Sequence, residues 1–384
     1  MNTKILGSAL IISGTALGAG MLAIPMVLAQ FGLMYGSLLM LGICAGTTYA
    51  ALLLLEATIK VGDGLGMNSI ARKLLGKSGQ LVTNGLLYAL LICLLMAYIL
   101  GAADFVIQLL GGIGIDLTSV QSQILFTVVA GSLVAIGTDI IDKFNRVLFL
   151  VMVLSLGATL LLLEPSFSLE NLHQVSNTSH ISLIKTSAIL FTSFGFMVVI
   201  PSLVAYNHEA TDKQLRNMVI LGSLIPLVCY LCWLFAVVGN LELEQMSRFY
   251  HVSDLIRAFE SHSPWLSTIL SVFTGLALLT SFFGVAMALF HQNSDLFNQN
   301  KLVTYLLTFM VPLAGALLAA NQFLSILSYA GVILVFLAVF IPLMFVYKLR
   351  KDRIKSESYT AEGGGVMLII TSLFGLFLLI SQFI

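Results

Sequence analysis

The chain is built of apolar runs long enough to cross a lipid bilayer, separated by short polar breaks. A hydrocarbon core about 30 Å thick takes about 20 helical residues. Eleven runs qualify, near residues 5–29, 33–59, 82–111, 121–138, 147–163, 183–205, 216–239, 265–290, 302–319, 323–347 and 365–383. A soluble chain carries about 25% charged residues; this one carries 9%, too few to cover a water-facing surface. The expected class is an all-α polytopic membrane protein with eleven transmembrane helices. The third run exceeds one crossing, so it tilts or extends beyond the bilayer. The first is longer than the about 7–15 apolar residues of a signal peptide core, and it is read as a retained span.

The charges test that count. With the N-terminus inside, fifteen of the eighteen Lys and Arg residues fall in inner loops, and only Lys185, Arg248 and Arg257 fall outside. The positive-inside rule gives such a bias for a correct topology, and losing one middle span would scramble it. The expected orientation is N-terminus cytoplasmic and C-terminus outside. Net charge is zero, and no basic block suggests nucleic acid. Cys44, Cys93, Cys229 and Cys232 all sit in apolar runs and read as small packing residues rather than redox or metal ligands. Residues 60–80 read as a basic amphipathic helix on the inner surface, and 240–264 as an outer lid; either segment is otherwise a plain connector.

Two runs carry interruptions. Span one contains Ser13-Gly14-Thr15-Ala16-Leu17-Gly18-Ala19-Gly20 and then Pro25; span six contains Phe191-Thr192-Ser193-Phe194-Gly195-Phe196 and then Pro201. Each glycine costs a helix about 1 kcal/mol relative to alanine. Unwinding at mid-depth frees backbone groups that cost several kcal/mol each unless something partners them. The two interruptions are five spans apart, an odd number, so the halves have opposite topology. Paired broken helices in inverted halves point to a midplane transport site, with helix N-termini facing a carboxylate and helix C-termini a cation. The competing reading is close helix packing through small residues.

Span eight places Ala277, Thr280 and Ser281 on one face, oxygen ligands suited to a small cation unless the hydroxyls bond back to their own helix. Glu56 and Asp104 are ionisable residues within spans and functional candidates by default. Glu56 either serves the site or pairs with Lys60 at i, i+4. Asp104 carries protons, holds an outer gate or pairs structurally. Tyr98, about two turns from Asp104, either meets a substrate ring or packs. No G-x-x-x-x-G-K-[ST] loop is present, so ATP is not the energy source. The six histidines fall in loops or at span ends, which argues against an enzyme. A channel or non-transporting sensor on the same scaffold is the remaining alternative.

The stretches GTALGAGMLAIP (14–25), YAALLLLE (49–56), GTDIIDKFNR (137–146), FTSFGFMVVIPSLVAY (191–206), LALLTSFFGVAMALF (276–290) and LSYAGVILVFLAVFIP (327–342) resemble the bacterial hydroxy and aromatic amino acid permease family. The likeness is closest to its tyrosine-specific permeases, with the tryptophan permeases behind, and it runs from about residue 4 to 383. It implies the amino acid–polyamine–cation superfamily and the five-plus-five inverted repeat of the leucine transporter (LeuT-like) fold. Residues 1–163 would form one repeat, 183–347 the second, and 365–383 a peripheral eleventh helix. The implied function is cation-coupled import of an aromatic amino acid, tyrosine first, by alternating access; the alternative is a sodium-coupled carrier of tryptophan or another neutral amino acid.

By the same likeness, the substrate carboxylate would meet the backbone around Gly18, Ala19 and Gly20. The amino group would meet carbonyls around Thr15, Ala16, Phe191 and Ser193, and the ring would lie near Tyr98, Phe194, Gly195 and Phe196. No cofactor is implied. The coupling ion is the proton by family default. Gly14, Leu17, Ala277, Thr280 and Ser281 match the fold's sodium site, and Met152 stands six residues after Arg146, where several relatives carry a lysine, which keeps Na+ open.

Overall fold

The computed structural model describes residues 3–62, 65–112, 114–136, 138–163, 167–172, 180–246, 249, 251–259, 264–296, 300–319, 322–353 and 358–384. Arg248, Lys355, His173 and His262 lie outside the described residues, as do the side chains of Ala19, Lys143 and His180. Among the described residues every regular element is a helix. Among the described residues, eight helices are long and apolar enough to cross a membrane, and three shorter apolar helices cover Thr3–Ala16, Ser119–Ala135 and Gly364–Ile380.

In chain order, α1 covers Thr3–Ala16, α2 Ala19–Leu28, α3 Gly32–Val61, α4 Met67–Gly111, α5 Ser119–Ile136 and α6 Thr138–Leu163. After shorter turns come α7, Ser187–Ser193, and α8, Ile200–Tyr206. Then follow α9 at Asp212–Asn240, α10 at Val252–Ala258 and α11 at Pro264–Leu296. The rods α12, Lys301–Leu318, and α13, Phe323–Lys351, precede α14, Gly364–Ile380.

Local chemistry sets several boundaries. Thr211 caps α9 through a reciprocal box, its backbone N–H donating to Gln214 Oε1 at 2.9 Å while its hydroxyl accepts from the Gln214 N–H. The basic segment 67–75 is helical as expected, burying Ile70, Ala71 and Leu74 and exposing Arg72 and Lys73. It turns into the long part of α4 at Gly76, whose φ of 77° is open to glycine. In α12 and α13 the segments 306–310 and 336–340 widen into π-turns, each followed two residues later by a proline, Pro312 and Pro342. A wider turn makes room for a residue that has no N–H to donate and a ring that crowds the preceding turn.

The interrupted pairs α1–α2 and α7–α8 sit at the centre. Helix α9 packs on α1 and α3; α11 packs on α6 and α4; α13 packs on α4 and α7. Gly222 lets α9 approach, since a Cβ there would lie 2.6 Å from Ile12 Cβ. The outward faces are apolar: Val147, Leu150, Leu154 and Leu161 on α6, and Val366, Ile369, Leu373, Leu376 and Ile380 on α14, are all exposed. Side chains at that helical spacing form stripes that water would penalise and lipid would not.

Candidate functional site

The glycine-rich stretch of the first run ends one helix and starts another. α1 stops at Ala16 and α2 begins at Ala19. The Leu17 N–H still reaches Ser13 O at 2.8 Å, but the Gly18 N–H turns to Ala16 O at 2.8 Å. In the sixth run, α7 stops at Ser193, and Phe194 to Phe196 lead through a single 3-10 turn, Met197–Val199, into α8. The Phe196 N–H reaches only to Phe194 O, at 2.9 Å. Both interruptions fall on the residues that the glycine spacing indicated.

The two interruptions face each other. The Ser193 hydroxyl donates to Gly20 O at 3.2 Å and to Ile189 O at 3.1 Å. Gly20 is there because nothing larger fits: a Cβ would lie 2.7 Å from Ser193 Cα. A Cβ on Gly18 would run into Ser281 Oγ of α11, and Ser281 in turn hydrogen-bonds Tyr98, buried on α4. Four rods thereby meet around the first interruption.

Tyr230, from the middle of α9, closes the arrangement. Its hydroxyl is 2.7 Å from Ala16 O and 2.7 Å from Ser193 O, the last residues of the two half-helices. Its ring meets Phe194 edge-on, with centroids 5.2 Å apart. Sequence reasoning passed over Tyr230. The signal available was a polar hydroxyl in the middle of an uninterrupted apolar run.

The other expected site residues make contacts of their own. Thr15 is exposed and bonds back to Ile11 O at 2.8 Å. Phe191 is buried with its ring edge-on to Phe374 of α14, centroids 6.0 Å apart. A Cβ on Gly195 would meet Thr192 O at 2.8 Å and Leu334 of α13 at 3.4 Å. Phe194 and Phe196 are both fully buried. In the candidate ion set, Ala277 and Leu17 are buried, and the Thr280 hydroxyl donates into its own helix, to Leu276 O at 2.8 Å and Ala277 O at 3.3 Å. Met152 Sδ lies 3.9 Å from that hydroxyl, and Phe149 Cζ would lie 3.1 Å from a Cβ on Gly14.

The two in-span carboxylates do different work. Glu56 has no exposed surface and binds Lys60 Nζ at 2.9 Å and Arg350 Nη2 at 2.6 Å. It also accepts from the Ala361 N–H at 2.9 Å. The pairing with Lys60 was one of the two sequence readings; Arg350 and the segment 358–364 were not foreseen. That segment is held further by Lys60 on Thr360 (2.9 Å), Tyr49 on Glu362 O (2.6 Å), Arg216 on Glu362 (3.0 Å) and the Tyr359 N–H on Asp212 (2.9 Å). It straps α3, α9 and α13 together at the end where α1 begins. Asp104 lies at the opposite end and meets His251 Nδ1 at 3.3 Å. His251 caps α10, its backbone N–H donating to Asp254 at 2.8 Å, and α10 packs on α2 and α4. Among the described residues, no group of three or more His, Cys, Asp or Glu side chains could hold a metal ion.

These features define a multi-pass helical membrane protein whose two interrupted helices are packed against each other at the core. The chain belongs to the tryptophan/tyrosine permease family, which it matches over residues 1–382. It is 59% identical over its whole length to the whole of a protein of Aliivibrio fischeri named glutamine transporter 2. It is 32% identical to tyrosine-specific transport system 2 of Haemophilus influenzae, covering 100% of this chain and 97% of that one. It is 30% identical to the tryptophan-specific transport protein of the same organism, covering 99% and 95%. These relatives are named for transport, not catalysis, and the chain is a permease-family protein rather than an enzyme.

Proposed function

We propose that the chain is a secondary transporter that moves a neutral amino acid across a bacterial inner membrane by alternating access, with glutamine as its first substrate. The observation that carries the transport reading is the pair of helix interruptions joined through Gly20, Ser193 and Tyr230. Bare peptide groups inside lipid are retained where a ligand partners them. The eleven-span, five-plus-five inverted arrangement is the topology in which such interruptions pair, and the distribution of Lys and Arg supports an N-terminus in the cytoplasm.

The whole-length likeness to a protein named as a glutamine transporter favours glutamine. So does the chemistry beside the first interruption. Tyr98, Ser281 and Ser193 supply hydroxyls that both donate and accept, which suits a side-chain amide. Of the phenylalanines expected beside a substrate ring, Phe194 packs edge-on against Tyr230 and Phe196 is fully buried. Tyrosine is the second reading, supported by the relatives named for it. Uptake of radiolabelled glutamine into proteoliposomes, competed by tyrosine, tryptophan and phenylalanine, decides between them. Glutamine is expected to be saturable and poorly competed; strong tyrosine uptake without glutamine uptake reverses the order.

The proton is the proposed coupling ion. The Thr280 hydroxyl donates its proton to Leu276 O and Ala277 O and keeps its oxygen lone pairs for a cation, so the proton rests on the family likeness and sodium is the second reading. Full uptake in sodium-free buffer under an imposed pH gradient is expected. Uptake that collapses without sodium returns the role to Gly14, Leu17, Ala277, Thr280 and Ser281.

A further inference from the structure

Ala16 and Ser193 end their half-helices, so their carbonyls lack the usual partner four residues on. Each also sits at the negative end of a helix dipole. Both oxygens lie 2.7 Å from the single hydroxyl oxygen of Tyr230, which has one proton to give. Carbonyls from two helix ends that converge on one point make the coordination environment of a small cation. Here the point is occupied by a phenol. Its ring is fully buried and seated edge-on against Phe194, so the hydroxyl cannot swing away.

We propose that Tyr230 is a positioning residue that replaces a bound cation: a fixed, uncharged bridge that holds the two interrupted helices in register. The assignment rests on the carrier reading for its purpose, but not for its geometry. A cation arrives and leaves with each cycle, whereas a tethered phenol stays with α9. The junction between the interruptions therefore needs no ion in this chain, and any coupling ion acts elsewhere.

The test uses the purified full-length protein with Tyr230→Phe, Tyr230→Ser and Tyr230→Asn. The first keeps the ring and removes only the bridging oxygen; the other two open space and leave an oxygen ligand. Melting temperature is measured in sodium chloride and in choline chloride. Tyr230→Ser and Tyr230→Asn are expected to gain about 2 °C or more from sodium relative to the native protein, because an ion that binds only the folded state raises Tm. Tyr230→Phe, with no ligand and no space, is expected to gain nothing. In proteoliposomes, Tyr230→Phe is expected to raise the KM for the transported amino acid about tenfold or more, because Ser193 O loses its bridging donor and Ala16 O keeps only the Gly18 N–H. A Tyr230→Phe protein that melts as the native one does, together with no sodium-dependent gain in either other variant, overturns the proposal. Absence of saturable amino acid uptake by the native protein overturns the carrier reading instead, and the melting comparison still decides the bridge.

Discussion

Ser193 Cα stands where Gly20 would carry a side chain, 2.7 Å from the position of a Cβ. The obstacle is backbone, so no rotamer change relieves it. Gly20→Ala is expected to push the two interruptions apart and lower uptake at least about tenfold, the scale of an overpacked contact. Gly20→Leu is expected to abolish binding while the protein still elutes as a folded species. Native KM and Vmax in Gly20→Ala would show that the close approach plays no part in transport.

Gly18 faces a softer neighbour, the hydroxyl of Ser281. A side-chain end can move, so Gly18→Ala is expected to cost less than Gly20→Ala. Removing the obstacle should help: uptake by Gly18→Ala with Ser281→Ala is expected to exceed that of Gly18→Ala alone. The non-additivity of neighbours in contact is about 0.5–3 kcal/mol. Strictly additive losses in the double-mutant cycle would place Ser281 away from Gly18 in the working protein.

Glu56 is fully buried between Lys60 and Arg350 and holds the Ala361 N–H. Removing one member of a buried ionic group strands the others, at a cost of about 3–5 kcal/mol. Glu56→Gln is therefore expected to lower the melting temperature sharply in detergent. Adding Arg350→Leu is expected to recover part of the loss, since one stranded cation is gone. A Glu56→Gln protein with native Tm would mean that the strap at 358–364 contributes nothing to stability.

Asp104 and His251 join α4 to the start of α10 across 3.3 Å. The contact fixes the start of α10, which packs on α2 and α4, so the two residues act as one unit. Asp104→Asn, His251→Gln and the double variant are expected to change the uptake rate by similar factors. Two independent effects that multiply in the double variant would separate the residues.

Much of this was written in the chain. Apolar length marked the helices, because lipid leaves a backbone no other way to satisfy its hydrogen bonds. The glycine cluster of the first run and the single Gly195 of the sixth, each followed by a proline, marked both interruptions to within a residue or two, because the cost of glycine in a helix is local. The amphipathic start of α4 was legible for the same reason: its period of buried and exposed residues needs no partner to be seen.

Which side chains meet was decided only by the tertiary structure. Thr15 turns its hydroxyl to its own helix and Phe191 its ring to α14, directions that a stretch of sequence does not specify. Tyr230 is 37 residues from Ser193 and 214 from Ala16, and Arg350 is 294 from Glu56. Hydropathy and local spacing carry no information across such separations. By itself the sequence determined where helices form and where they break, through backbone costs paid residue by residue. The folded packing alone determined that a phenol from α9 would bridge the two breaks, because that contact exists only once α1, α7 and α9 share one core.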